Sequence, residues 1–162
     1  MSIVFNADEI FNIAVQIEKN GAGFYKKAAS SAKNAAIKDK LLNLADMEID
    51  HEATFEGMRK QLKGEDKGAT AYDPDEETQL YLNAFAKGHV FNIDANPAEE
   101  LTGNETPQEI LKKAIGLEKD SVIFYLGIKD MVPANLGKDK IDGIIAQEMG
   151  HIRLLSKELD NL

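Results

Sequence analysis

The 162-residue chain carries a formal net charge of −9 and contains neither cysteine nor tryptophan. That length supports one domain with a full hydrophobic core, and the acidic balance argues against nucleic acid or an anionic membrane surface as a partner, since both require a basic face. Without cysteine any metal must be held by oxygen and nitrogen donors; with no stretch of ~18 apolar residues and no basic, apolar leader, a soluble cytoplasmic protein is expected.

Asn6, followed by Glu9 in capping-box spacing, opens a first helix that runs through Phe11, Val15, Ala22 and Tyr25 to about Ser31. A second helical pattern begins near Asn34 and is expected to end at Gly64, a natural C-terminal glycine. Residues 64–106 form a strongly acidic crossover, expected to be mostly solvated. Inside it, Asp73-Pro74-x-Glu76 caps a short amphipathic helix whose apolar face is expected to carry Leu80, Tyr81, Phe85 and Ala86. Thr106-Pro107 with Glu109 starts the third long helix, and Pro133 is expected to stop it. The fourth runs from about Lys138 to the C-terminus. No segment alternates with period two, so the class is all-α. The chain reads as a single domain, 1–162, with one hairpin at about 6–63, the crossover at 64–106 and a second hairpin at about 107–162.

The two hairpins are copies at an offset of one hundred residues. Glu48-x-x-His51 returns as Glu148-x-x-His151, Glu18 as Glu118, and Phe24-Tyr25 as Phe124-Tyr125, with Glu9/Glu109, Ile10/Ile110, Ala14/Ala114 and Lys19/Lys119 in the same register. Short turns make each pair antiparallel neighbours, and the long crossover can travel the length of a four-helix bundle. A homodimer is expected, and a domain swap, with the crossover handing one hairpin to a second chain, is the competing topology.

In the second helix Leu41, Leu44, Glu48, His51, Phe55, Met58 and Leu62 step by three and four along one seam; Ile141, Ile144, Glu148, His151 and Leu155 do so in the fourth. Phe11, Ala14, Glu18, Gly21 and Tyr25 share a face of the first helix, as do Leu111, Ala114, Glu118, Ser121 and Tyr125 of the third. Each glutamate stands ~20 Å from its own hairpin turn at the 1.5 Å rise of an α-helix, so four carboxylates can meet at mid-bundle. Buried together they demand neutralisation, and two divalent ions supply it. One imidazole per ion in a carboxylate-rich shell suits iron, with manganese or zinc able to fill the same pocket.

Lone Glu-x-x-His is a weak signal, common on exposed helices; its duplication on two buried seams makes Glu18, Glu48, His51, Glu118, Glu148 and His151 the candidate ligands and the candidate reaction centre. Tyr25 and Tyr125, two turns beyond Glu18 and Glu118, read equally well as core packing or as donors to a ligating carboxylate. Gly21, Ala14, Ala22, Ser121 and Ala114 keep bulk low beside the glutamates and leave room for a small molecule. His89 is expected to face solvent, and Asn104-Glu105-Thr106 counts only as a helix start.

Across both hairpins this pattern resembles the ferritin-like superfamily and, within it, rubrerythrins. The resemblance implies that Glu48 and Glu148 bridge two iron ions, that Glu18 with His51 completes one, and that Glu118 with His151 completes the other. It places Tyr25 and Tyr125 where such proteins hydrogen-bond their ligands. It further implies a non-haem oxidoreductase that reduces peroxide or dioxygen; the alternatives are an iron-handling ferroxidase and a non-enzymatic bundle with structural metals whose helix faces bind a partner. Two departures stand out. Rubrerythrins carry a further glutamate three residues after the third-helix ligand, where this chain has Ser121, with Gly21 as its counterpart in the first helix. Many also carry a four-cysteine rubredoxin module, so this cysteine-free chain would need an external electron-donor protein.

Overall fold

The computed structural model describes residues 5–64, 77–86, 95–132 and 134–162. Four long helices, α1 (Ala7–Ser31), α2 (Ala35–Gln61), α4 (Pro107–Ile128) and α5 (Lys138–Asp160), are joined by a crossover that holds the short helix α3 (Glu77–Ala86). No described helix is long and apolar enough to cross a membrane.

The starts obey the capping chemistry of the sequence. Asn6 accepts from the Glu9 backbone at 2.9 Å while Glu9 reaches back to the Asn6 N–H at 2.9 Å. Thr106 and Glu109 repeat this reciprocal arrangement at α4, with Pro107 in its first turn. Asn34 caps α2 through the amides of Ala36 and Ile37.

Several ends differ from expectation. α2 stops at Gln61, and Leu62 leaves the helix with φ −64° and ψ 126°. Leu62 is buried, so the chain turns out of the helix to place it, and Gly64 is not among the described residues of positive φ. α4 gives way to a 3-10 turn, Lys129–Met131, and the expected proline stop at 133 lies outside the described residues. So do the Asp73–Glu76 cap and His89.

In α3 Leu82, Asn83 and Phe85 are buried, while Leu80, expected inside, is 63% exposed. Leu82 and Phe85 are one turn apart and plug one end of the core, and Phe85 meets Phe124 edge-on. Tyr81 lies over Gly127, where any Cβ would overlap its ring, and its hydroxyl donates to the Ile123 carbonyl. Leu101 is also buried, so the crossover is more deeply docked than its acidity suggests.

α1 packs along α2 and α4 along α5; the hairpins join through α1 against α4 and α2 against α5. The core falls into two apolar layers. One gathers Phe11 and Val15 with Phe55, Met58, Phe124, Ile128, Ile141 and Ile144. The other gathers Phe24, Ala28, Leu41, Leu44, Leu111 and Leu155. Early α1 thus meets late α2, late α4 and early α5, which makes neighbouring long helices antiparallel and requires the crossover to span the bundle. Each long helix passes from one layer to the other, and at the passage each turns a glutamate inward.

Candidate metal centre

Glu18, Glu48, Glu118 and Glu148 are 0–4% exposed, and His51 and His151 are 3% exposed. All six meet between the two apolar layers, within one chain. Glu18, Glu48, His51 and Glu148 offer one donor atom each within 4.8 Å of one another, and so do Glu48, Glu118, Glu148 and His151. The two quartets share Glu48 and Glu148. Glu148 divides its oxygens between the halves, with Oε1 2.9 Å from His51 Nδ1 and Oε2 2.9 Å from His151 Nδ1. Glu18 lies 3.4 Å from His51 Nδ1, Glu118 lies 3.4 Å from His151 Nδ1, and Glu48 lies 3.2 Å from His151 Nδ1. The imidazoles face each other 5.8 Å apart, inclined by 19°.

The hydrogen-bond census tests whether this set fits metal ions. Among the described residues, every buried side-chain atom without a hydrogen-bond partner belongs to the cluster: Glu18 Oε2, Glu48 Oε1, both Glu148 oxygens, His51 Nδ1 and both His151 nitrogens. Native interiors leave very few such atoms, and here, His151 Nε2 apart, their close polar neighbours are one another, at 2.9–3.4 Å. Oxygen and imidazole donors stranded together in an apolar core match the requirements of a pair of hard or borderline cations.

The tyrosines resolve a question that helical spacing leaves open. Tyr25 donates to Glu118 Oε1 and Tyr125 donates to Glu18 Oε1, so each phenol crosses to the glutamate of the other hairpin. Burial, and then the nearby carboxylates, push both phenols well above their ordinary pKa, so each holds its proton and serves as a fixed donor.

Gln147 escapes any reading of the repeat. His51 Nε2 lies 2.6 Å from Gln147 Oε1, an acceptor, so Nε2 carries the proton and Nδ1 faces the centre. At the matching offset the first hairpin has Met47, and among the described residues His151 Nε2 is buried without a hydrogen-bond partner. Sequence could flag Gln147 only as the residue beside Glu148, because duplication gives it no counterpart.

Charge in the centre follows from burial opposed by pairing. Burial disfavours imidazolium, yet contacts with Glu148 and Glu18 outweigh it and raise the His51 pKa to about 11. His151, opposed by burial and supported by Glu118, Glu148 and Glu48, rises to about 12. Burial, only partly offset by the histidines, lifts Glu18 and Glu118 well above the carboxylate range. Glu148 is also buried, but its contacts with both histidines hold it below that range.

Of the small residues expected to make room, Ala14, Ala22 and Ala114 are buried in the core, whereas Gly21 and Ser121 line a cavity of about 340 Å³ between α1 and α4 that reaches Glu48 and Glu118. Ser121 donates to the Leu117 carbonyl of its own helix at 3.1 Å. Gly21 leaves the space into which a Cβ would bring an atom 3.2 Å from Glu48 Oε2.

Duplicated hairpins converging on four glutamates and two histidines define a ferritin-like bundle with a dinuclear carboxylate centre. The sequence model of the rubrerythrin family matches residues 9–98, more than half of the chain. The chain belongs to the rubrerythrin family. Its fold is similar to a crystal structure from Thermotoga maritima assigned as a ferritin-like diiron-carboxylate protein, with a TM-score of 0.69, 26% identity, and coverage of 96% of this chain and 95% of that one. No curated protein matches the chain.

Proposed function

We propose that the chain is a non-haem di-iron oxidoreductase that reduces peroxide or dioxygen with electrons from an external donor protein. One observation carries the reading: the buried glutamates and histidines of the core fall into two quartets that share two carboxylates. Glu18 and His51 would hold one ion, Glu118 and His151 the other, and Glu48 and Glu148 would bridge them. A bound iron pair supplies one electron from each ion to an O–O bond. The chain supplies the rest. Tyr125 and Tyr25 fix the orientation of Glu18 and Glu118 across the hairpin interface. The apolar layers above and below exclude bulk water, and Gly21 and Ser121 leave the α1–α4 side open to an oxidant. These 162 residues hold no cysteine for an iron–sulfur or rubredoxin relay, and the electrons would come from a separate donor protein.

The test begins with anaerobic iron titration of the metal-free chain, where two Fe²⁺ per chain are expected. Added hydrogen peroxide should then be consumed as ferric absorption develops. Glu48→Ala and Glu148→Ala should each lose both ions, whereas Glu18→Ala should weaken mainly one. Bound Fe²⁺ that peroxide and oxygen leave untouched would defeat the reading.

A further inference from the structure

The cavity between α1 and α4 is too large for the oxidants usually considered for such a centre. At the ~30 Å³ that a water molecule occupies in the liquid, 340 Å³ corresponds to about eleven heavy atoms, whereas dioxygen and hydrogen peroxide have two. Small-molecule sites begin at about 300 Å³.

Its chemistry is graded along its depth. The buried carboxylates of Glu48 and Glu118 and the Tyr25 ring form the inner end. Ile17, Phe24 and Leu117 supply apolar walls, and Gly116 leaves part of the α4 wall open. At the rim, Asn20 donates to the Ala95 carbonyl at 3.0 Å and Lys113 pairs with Glu100 at 3.3 Å, which fastens residues 95–100 to both helices. An occupant therefore needs an apolar body and a small polar head that can approach Glu48 and Glu118.

Resting on the function proposed above, we propose that this cavity seats the apolar body of an organic hydroperoxide, and that such a compound, with up to about eleven heavy atoms, is the oxidant the centre reduces. A hydroperoxide has a small polar head and an apolar body to match the apolar walls, and it carries the O–O bond the centre acts on. The reaction balances as ROOH plus two electrons and two protons giving ROH and water. The O–O bond is broken, the electrons are those of the external donor, and the protons come from solvent.

Gly116 provides the test, since a Cβ there meets nothing within 4 Å and a longer side chain grows into the cavity. The first probe is 2-phenyl-2-propanol, the alcohol formed from cumene hydroperoxide, titrated by NMR into the full chain loaded with redox-inert zinc. It should bind and shift Gly21, Gly116 and Leu117, and Gly116→Leu should weaken it at least about tenfold, or 1.4 kcal/mol. Gly116→Ala, which adds one methyl at the same point, gives a smaller loss and serves if the leucine variant does not fold. The second measurement is single-turnover oxidation of the Fe²⁺-loaded chain. Cumene hydroperoxide should react with saturation at low concentration, and Gly116→Leu should raise the half-saturating concentration about tenfold. No binding of the alcohol, or equal binding to both glycine variants, overturns the proposal. Oxidation by hydrogen peroxide but not by cumene hydroperoxide overturns the proposal alone, whereas inertness to both overturns the di-iron oxidoreductase reading beneath it.

Discussion

Gly21→Ala should make the protein more stable and worse at holding metal. Gly21 lies inside α1, where replacing glycine by alanine removes backbone entropy from the unfolded chain and favours the helix by about 0.5–1 kcal/mol. For a chain of this size that is a rise in Tm of about 2–4 °C per kcal/mol, measured on the metal-free protein. The new Cβ, however, would stand 3.2 Å from Glu48 Oε2 and 3.4 Å from Glu48 Cγ, so the carboxylate must yield by a few tenths of an ångström. Metal–ligand distances tolerate about ±0.2 Å. Because Glu48 belongs to both quartets, both ions should weaken, by about 10–100-fold, the range seen when the support of a ligand is disturbed. Gly23→Ala is the control: it lies two residues on in the same helix, its Cβ meets nothing within 4 Å, and it should gain the stability without the loss. Stepwise zinc titration by calorimetry, beside thermal unfolding of the metal-free chains, separates the two effects. Unchanged affinity in Gly21→Ala, or loss confined to one ion, would refute the claim that a shared Glu48 carboxylate abuts this glycine.

Three further outcomes are expected. Tyr125→Phe strands Glu18 Oε1 and should destabilise the metal-free fold by about 1–3 kcal/mol; because the bond crosses the hairpins, the ion lost first should be the one at His51, and in Tyr25→Phe the one at His151, as read from histidine NMR during zinc titration. Gln147→Ala frees His51 Nε2 and should weaken the His51 half-site about tenfold, bringing the two stepwise constants together; equal constants in the unaltered chain would contradict this. His51 and His151, with pKa values raised to about 11 and 12 in the metal-free fold, are protonated at pH 7. Each ion must therefore expel at least one proton, and apparent affinity should fall about tenfold per ion for each pH unit lowered, measured as buffer-dependent binding heat. The same raised values mean that the stability from these pairs is fully present below pH ~6.5 and is lost as the pH climbs through about 11 to 12.

Much of this was legible because buried charge breaks a pattern that apolar residues otherwise keep. Glu48 and His51 interrupt a seam of leucine, phenylalanine and methionine, and their recurrence at Glu148 and His151 fixes both the direction and the height of the centre. The caps at Asn6 and Thr106 were equally readable, since they depend on residues three apart. What escaped depends on contacts between segments. Leu82 replaces Leu80 in the core because α3 is oriented by its neighbours Phe124 and Gly127, which its own short sequence does not encode. The crossing of Tyr25 to Glu118 needs the distance between hairpins, not the period within one. Gln147 was hidden because the repeat that revealed the ligands has methionine at its place.

The duplicated centre is symmetric where it must hold charge and asymmetric around it. Ligands and tyrosines recur at the same offset, while Gln147 faces Met47 and Ser121 faces Gly21 across the pseudo-twofold. In the metal-free chain burial draws Glu18 and Glu118 toward the protonated form, while Glu148 stays ionised between two imidazolium rings. An arriving ion exchanges with the histidine protons beside phenols already bonded to Glu18 and Glu118. Departures from symmetry then decide how the two halves differ. A hydrogen bond fixes one histidine and not the other, and the cleft lined by Gly21 and Ser121 reaches the carboxylates from the α1–α4 side, so ions in a near-twofold cage would meet unequal surroundings.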